Sequence, residues 1–222
     1  MQIDFKAHFI KALEIDPNFS EAHFQLALLY QDEGDYKNVE QHFNLAIVSD
    51  SDKAHILEKR GRELIKKFQF QNAKEQFMKA QARRKHCAEV YYQQSMYYKN
   101  QKNTKQQQTS LENSIKMNLS QSDSHRELGI LFSNQNQMND ARSQLEEALN
   151  LNYADSLSHF YLGKIMIHMK DYKDAEQHFL SSLDINPKFI DCMIELAKLK
   201  LKINQENEAK KYYMKAKEIK PN

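Results

Sequence analysis

Residues Ser156 to Phe189, SLSHFYLGKIMIHMKDYKDAEQHFLSSLDINPKF, are the cleanest copy of a unit that recurs every 34 residues along a chain of 222. Within it Asp171, Tyr172 and Lys173, then Glu176, Gln177, His178 and Phe179, repeat a pattern met 136 residues earlier, four periods upstream, as Asp35, Tyr36, Lys37, Glu40, Gln41, His42 and Phe43. Ile15, Pro17 and Phe19 return five periods later as Ile185, Pro187 and Phe189. A fixed internal period of this size marks a repeat architecture, in which each unit buries its apolar face against its neighbours.

Taking Ser20, Ala54, Ala88, Ser122, Ser156 and Ile190 as first positions aligns the chain without a gap. Each repeat then shows two helical patterns. In the first helix, positions 4, 7, 8 and 11 form one face at helical spacing. In the second, position 24 reads Phe9, Phe43, Phe77, Leu111, Leu145, Phe179 and Tyr213, always large. Position 27 reads Ala12, Ala46, Ala80, Ser114, Ala148, Ser182 and Ala216, always small. Large side chains facing small ones let two helices approach at native density. Position 8 is small throughout, with Gly61, Gly129 and Gly163 at three of its six occurrences. Pro17, Pro187 and Pro221 all fall at position 32, where a residue without an amide proton ends a helix at little cost. Asp50 and Asp52 fall in the turn expected between repeats one and two. The basic run Arg83 to His86 is expected to end a second helix, its cations meeting the negative end of the helix dipole.

This pattern resembles the tetratricopeptide repeat family, whose helix–turn–helix unit carries Leu and a small residue at 7 and 8, Ala at 20, an aromatic at 24, Ala at 27 and Pro at 32. The resemblance covers the whole chain. It implies an all-α fold, a right-handed superhelix of about six repeats after an N-terminal half repeat. The expected division is a lone second helix over 1–19, then repeats over 20–53, 54–87, 88–121, 122–155, 156–189 and 190–222. Repeat two has Arg60 where the family has Leu, and the divergent repeat three has Gln94 and Gln107 at positions usually apolar or small. These two are expected to be the least stable. At the ends, Ile3, Phe5, Phe9, Ala12 and Leu13 need a neighbour, which suggests further repeats or self-association through uncapped ends.

Charged residues make up 28% of the chain and the net charge is +2, too small for a nucleic-acid or anionic-lipid surface. The charge is uneven: residues 1–60 carry 6 Lys/Arg against 11 Asp/Glu, and residues 188–222 carry 9 against 5. No apolar run approaches a membrane span, and no secretory leader is visible. Cys87 and Cys192 are too far apart in the repeat register to pair, so two free thiols and a cytoplasmic location are expected. The nine histidines fall in shared registers, His8, His42 and His178 at position 23 and His23, His125 and His159 at position 4. Equivalent positions in neighbouring repeats lie about a helix-packing distance apart, ~8–10 Å, far beyond metal–nitrogen bonds of ~2 Å. No activated nucleophile with a base and an orienting group is present. No catalytic residue, metal or cofactor is assigned, and the chain is read as a non-enzyme.

In the family, first helices line a concave face. The resemblance therefore implies a partner-binding groove of position-5 and position-9 residues: Phe24, Leu28, Arg62, Tyr92, Met96, Arg126, Ile130, Phe160, Lys164, Ile194 and Lys198. Aromatic and apolar walls interspersed with cations suit a peptide or amphipathic helix of a protein partner. Lys at position 5 with Asn at position 9, the pair with which chaperone-tail-binding members hold a carboxylate, occurs in no repeat. The expected function is a non-catalytic interaction scaffold or adaptor, with a substrate-recruiting region of a larger, glycosyltransferase-type enzyme as the alternative. The expected partner is a protein or peptide, not nucleic acid, and without membrane insertion.

Overall fold

A computed structural model describes residues 5–66 and 68–220, so Ile3 and Pro221 lie outside the described residues. Among the described residues every regular element is an α-helix. The chain divides into two compact units, residues 1–119 and 120–222.

The C-terminal unit follows the repeat register. It contains α6 (Ser122–Asn134), α7 (Met138–Leu151), α8 (Ser156–His168), α9 (Tyr172–Ile185), α10 (Ile190–Lys202) and α11 (Glu206–Ile219). Each pair is closed by a turn with one residue in the left-handed region, Asn136, Lys170 and Asn204, at φ of 62°, 64° and 60°. Asp155 and Asp171 cap the next helices with their carboxylates, accepting from Leu157 and Ser158 and from Asp174 respectively. Leu145, Leu162, Ile165, Phe179, Leu196 and Leu199 fill one core, with Ala141 and Ala175 as the small residues between them. A Cβ on Gly163 would stand 2.6 Å from the Phe179 ring, so the large residue at position 24 does press on the small one at position 8. Where position 27 is Ser182 instead of Ala, its hydroxyl donates to the Ser156 carbonyl at 2.8 Å, so the buried hydroxyl is paired.

The N-terminal unit departs from the register. After α1 (Phe5–Ile15) and α2 (Ser20–Glu33) come two helices of 31 residues, α3 (Tyr36–Lys66) and α4 (Phe70–Asn100), and then α5 (Thr104–Met117). The turns expected around 50–53 and 84–87 are absent, and helix runs through both repeat junctions. Asp50 and Asp52 are therefore inside α3, and Arg83 to His86 lie mid-helix in α4, away from any helix terminus. The dipole account of that basic run is corrected accordingly.

The two long helices run antiparallel. Cys87 donates to the Ile47 carbonyl at 3.6 Å, and the Gln94 amide to Asn44 at 3.3 Å. The second half of α4, from repeat three, thus lies along the first half of α3, from repeat one. Val90, Tyr97 and Tyr98 share one core with Phe24, Val39, Phe43, Ala46 and Ile47. Repeat three stacks directly on repeat one, and repeat two is extruded as a hairpin. Its own turn survives, with Phe68 at φ 57° in register with Gly34 and Lys102 at 75° and 56°.

The reason is legible at two positions. In the stacked repeats position 7 is buried as Leu26, Leu128, Leu162 and Leu196, and position 10 as Tyr97, Leu131, Ile165 and Leu199. Repeat two offers Arg60 and Glu63, both exposed on the hairpin. Inserting it would desolvate both charges. Repeat three's Gln94 is tolerated because its amide is paired on both sides, donating to Asn44 and accepting from Ser110 at 3.1 Å.

Candidate protein-binding surface

The eleven groove candidates separate by burial. Phe24, Ile130 and Phe160 are packed into the cores at 9%, 8% and 7% exposure and present no side chain to a partner. Phe160 lies 4.8 Å from the Phe189 ring and 6.0 Å from that of Phe179, centroid to centroid, so the position that the resemblance assigns to the groove is used for stacking. Arg62 stands on the extruded hairpin, apart from the other candidates of the N-terminal unit, where Leu28, Tyr92 and Met96 are half-buried. Arg126 is engaged within its own unit, with Asp123 at 2.7 Å and Asp155 at 3.1 Å.

Lys164, Ile194 and Lys198 remain at the surface of the C-terminal unit, Ile194 in part. The Lys164 ammonium sits 5.2 Å from the Tyr161 ring centroid and 5.6 Å from that of Phe160, and Lys198 pairs with Glu195 at 2.8 Å. Leu157 on α8 and Leu201 on α10 are exposed apolar residues at positions 2 and 12 of the same helices, 38% and 47% accessible. Beside them an open pocket of about 390 Å³ is lined by Ile190, Ile194, Tyr213, Ala216, Lys217 and Lys220. Its residues occupy the positions that bury Phe160, Phe179 and Ser182 one repeat earlier. The face that repeat five covers with α10 is thus open on repeat six among the described residues.

Three polar arrangements were not visible in the sequence. Lys200 is buried at position 11, where its ammonium donates to Glu176 and to Gln205, both at 2.6 Å. Asp50 is fully buried and holds Arg83 at 2.9 Å and His86, which also reaches Glu21 at 3.0 Å. Burial opposes ionisation of the Asp50 carboxyl, but hydrogen bonds from His86 and Ser20 and the charge of His86 outweigh it and hold it below the usual carboxylate range.

The histidines form the third. Comparing equivalent positions in different repeats overlooked that positions 4 and 23 of one repeat face each other across the hairpin. His23 and His42 meet Nδ1 to Nδ1 at 2.9 Å, and His159 and His178 at 3.1 Å. In repeat four the same place holds His125 and Gln144, at 2.9 Å. A neutral His23 that donates from Nε2 to the Pro17 carbonyl, 3.0 Å away, must accept at Nδ1, so His42 is the donor. Burial lowers the His42, His159 and His178 pKa values, and the charge of the facing ring adds to it at His42 and His178.

Among the described residues no group of three or more His, Cys, Asp or Glu side chains is placed to hold a metal ion, and no helix is long and apolar enough to cross a membrane. Both cysteines are free and buried, and burial pushes the Cys87 thiol up to about 12 and the Cys192 thiol to about 11.

Two family profiles, both described as Tetratricopeptide repeat, match this chain, one over residues 8–41 and one over 88–121 and 190–222. The type IV pilus assembly protein PilF of Pseudomonas aeruginosa is 34% identical over 70 residues, 32% of this chain. The match covers 28% of that relative's length. A structure from the functional characterization of Pseudomonas aeruginosa PilF aligns over 91% of this chain and 92% of its own, at 17% identity and a TM-score of 0.56. MamA from Desulfovibrio magneticus RS-1 aligns over 76% of this chain and 95% of its own, at 16% identity and a TM-score of 0.55. At those identities the two structures share the fold.

Proposed function

The chain is a tetratricopeptide-repeat protein, and from that premise we propose that it is a non-catalytic scaffold that holds a peptide or helix of a protein partner on its first helices. The observation that carries the reading is the surface of α8 and α10. There Leu157, Ile194 and Leu201 present apolar area beside the Lys164 and Lys198 ammonium groups, and the apolar pocket of Ile190 and Tyr213 adjoins them. Apolar anchors flanked by cations suit an amphipathic segment with acidic residues between its apolar ones. The half-buried Leu28, Tyr92 and Met96 extend the reading to the N-terminal unit as a second, more apolar patch. Two free thiols with raised pKa values accord with work in a reducing compartment such as the cytoplasm.

Selection of peptides from a random displayed library against the whole chain tests this. The expected ligands alternate acidic and large apolar residues, and bind the double variant Lys164→Glu, Lys198→Glu at least tenfold more weakly. Ligands indifferent to these substitutions and to Ile194→Asp would remove the groove from consideration.

A further inference from the structure

The small net charge of the chain conceals a segregation that only the fold exposes. The extruded hairpin and its root, residues 54–85, carry ten Lys/Arg against three Asp/Glu, whereas residues 5–53 carry four against nine. A basic arm therefore projects from an acidic block. Among the described residues the ion pairs near their junction lie at the root, where Arg83 of the arm meets Asp50 and the neighbouring His86 meets Glu21. Beyond Ala54 and Ala80, each 2% exposed, the charged residues Lys59, Arg60, Arg62, Glu63, Lys66, Lys74, Glu75 and Lys79 are at the surface, and Leu57 and Phe77 are half-buried.

The arm is also apolar where a soluble hairpin has no need to be. Ile56 is 63% exposed at position 3, although that position is fully buried as Ala22, Val90, Ser124, Ser158 and Cys192. Phe68 and Phe70 form an edge-to-face pair at the apex, 6.2 Å between centroids, and are 81% and 62% exposed. Phe68 moreover holds a left-handed backbone, φ 57°, that disfavours a bulky side chain. Other repeats place Gly, Lys or Asn there. A strained, solvent-facing aromatic is retained at a cost that the hairpin alone does not explain.

The acidic block offers the matching surface. Phe5, Ile10 and Ile15 of α1 are exposed at 60%, 43% and 88%; α1 carries Lys6 and Lys11 against Glu14, and the acidity lies beside it in Asp16 and in Glu21, Asp32 and Glu33 of α2. From Asp50 to Lys66 at the end of α3 the arm spans about 24 Å at ~1.5 Å per residue, comparable with the roughly 16 and 21 Å of α1 and α2. We propose that the arm of one copy packs along α1 and α2 of a second copy, and reciprocally, forming a two-fold dimer in which each aromatic-tipped hairpin sets its apex on the partner's apolar α1 and its cations on the partner's acidic α2. Such an exchange is isologous and closes on itself. It buries apolar area that is open in the monomer and sets opposite charges face to face. The interaction uses the hairpin with α1 and α2, and so stands apart from the α8 and α10 surface that carries the groove reading above.

Sedimentation of the whole chain over a hundredfold range of concentration tests it. A dimer is expected at low salt, with its dissociation constant raised at least tenfold when the Debye length shrinks from ~10 Å at about 0.1 M to ~3 Å at about 1 M. The informative variant is Phe68→Asn, Phe70→Thr, because repeat four and repeat six carry Asn136 and Asn204 at the first position and repeat three carries Thr104 at the second. It should keep its helicity and thermal midpoint and lose self-association at least tenfold. Lys59→Glu, Lys74→Glu should likewise be monomeric, and so should Glu14→Lys, Asp32→Lys. Mixing the two should restore a heterodimer, which a merely structural role for these residues would not do. A chain that stays monomeric at low salt overturns the proposal, whether or not it sediments with phosphatidylglycerol vesicles or shifts labelled RNA. A dimer unchanged by the Phe68 and Phe70 substitutions overturns it equally.

Discussion

Tyr97 packs against Tyr36, their ring centroids 6.1 Å apart, although the 34-residue register pairs Tyr97 with Phe70. In the C-terminal unit the corresponding residues are sequential neighbours: Met138 shares a core with Ile165, and Tyr172 with Leu199. Position 17 of one repeat ordinarily meets position 10 of the next. Here the partner is taken by a repeat one further back, and Phe70 is left in solvent.

This reverses the expected order of two substitutions. Tyr97→Ala empties a site 3% exposed and should cost about 3 kcal/mol, as large-to-small changes in a core do. Ile56→Ala, at a position buried in the other repeats, should change stability by less than about 0.5 kcal/mol because its side chain is already in water. Urea midpoints of the two variants decide the matter. An insensitive Tyr97 and a sensitive Ile56 would mean that repeat two is stacked in its sequential place.

The histidine pairs make stability pH-dependent. His42, His159 and His178 have folded pKa values lowered by burial, so they stay neutral in the folded chain where the unfolded chain already binds protons. Their contribution is complete above the unfolded value of about 6.5 and is lost as pH falls through it. His86 acts in the opposite sense, because its hydrogen bond to Asp50 raises its pKa, and its contribution fades as pH rises through that raised value. His178→Gln recreates the His125–Gln144 pair of repeat four and should flatten the acid loss. Urea titrations at about pH 7 and about pH 5 should show a slope reduced by at most ~1.4 kcal/mol per pH unit, the limit for one proton. An unchanged slope would show that the pair does not hold its proton count on folding.

Gly163→Ala should destabilise the C-terminal unit despite a gain in helix propensity of about 1 kcal/mol. The new methyl would stand 2.6 Å from the fully buried Phe179 ring, and overpacking of this kind costs ~1–3 kcal/mol. Gly163→Ala with Phe179→Leu should recover little of the loss, because a Cβ on Gly129 would still stand 2.7 Å from the Leu145 side chain opposite it. Calorimetric midpoints of the single and double variants read this coupling.

Both thiols should be silent in the native protein. Cys87 and Cys192 are 1% and 0% exposed with pKa values far above neutrality, so neither supplies thiolate at neutral pH. A chromogenic disulfide reagent should report no fast reaction before denaturant is added and two thiols after it. Prompt labelling of Cys87 would mean that the α3–α4 root opens readily.

The core positions were readable because they depend on one size of residue at a fixed spacing, large at position 24 and small at 27, and the turns keep the same period with varied residues. Gly34, Phe68, Lys102, Asn136, Lys170 and Asn204, six positions 34 residues apart, all adopt positive φ. Proline at position 32, present only as Pro17, Pro187 and Pro221, does not distinguish the two junctions that fuse from those that break. At the junctions without proline, position 31 carried the information: Asn118 and Asn152 leave helical geometry and end their helices, whereas Asp50 and Arg84 continue theirs. Even so, Asp50 stays inside α3 with its carboxylate tied to Arg83 and His86, partners 33 and 36 residues away, and no local pattern discloses them. The groove was misjudged at Phe24, Ile130 and Phe160 for a related reason. Whether a position-5 or position-9 side chain faces a partner or a neighbouring repeat depends on how tightly successive hairpins stack, which the spacing of residues along one helix leaves open.

The uninterrupted course of α3 and α4 has a mechanical side. Neither helix contains a joint between the base of the hairpin and its apex, so a load on Phe68 is carried as bending and axial strain down to Asp50 and into the rings around Phe43. In a stack of separately looped hairpins the first loop would absorb that strain. Here the apex and the core behave as the two arms of a lever with its fulcrum at the buried carboxylate.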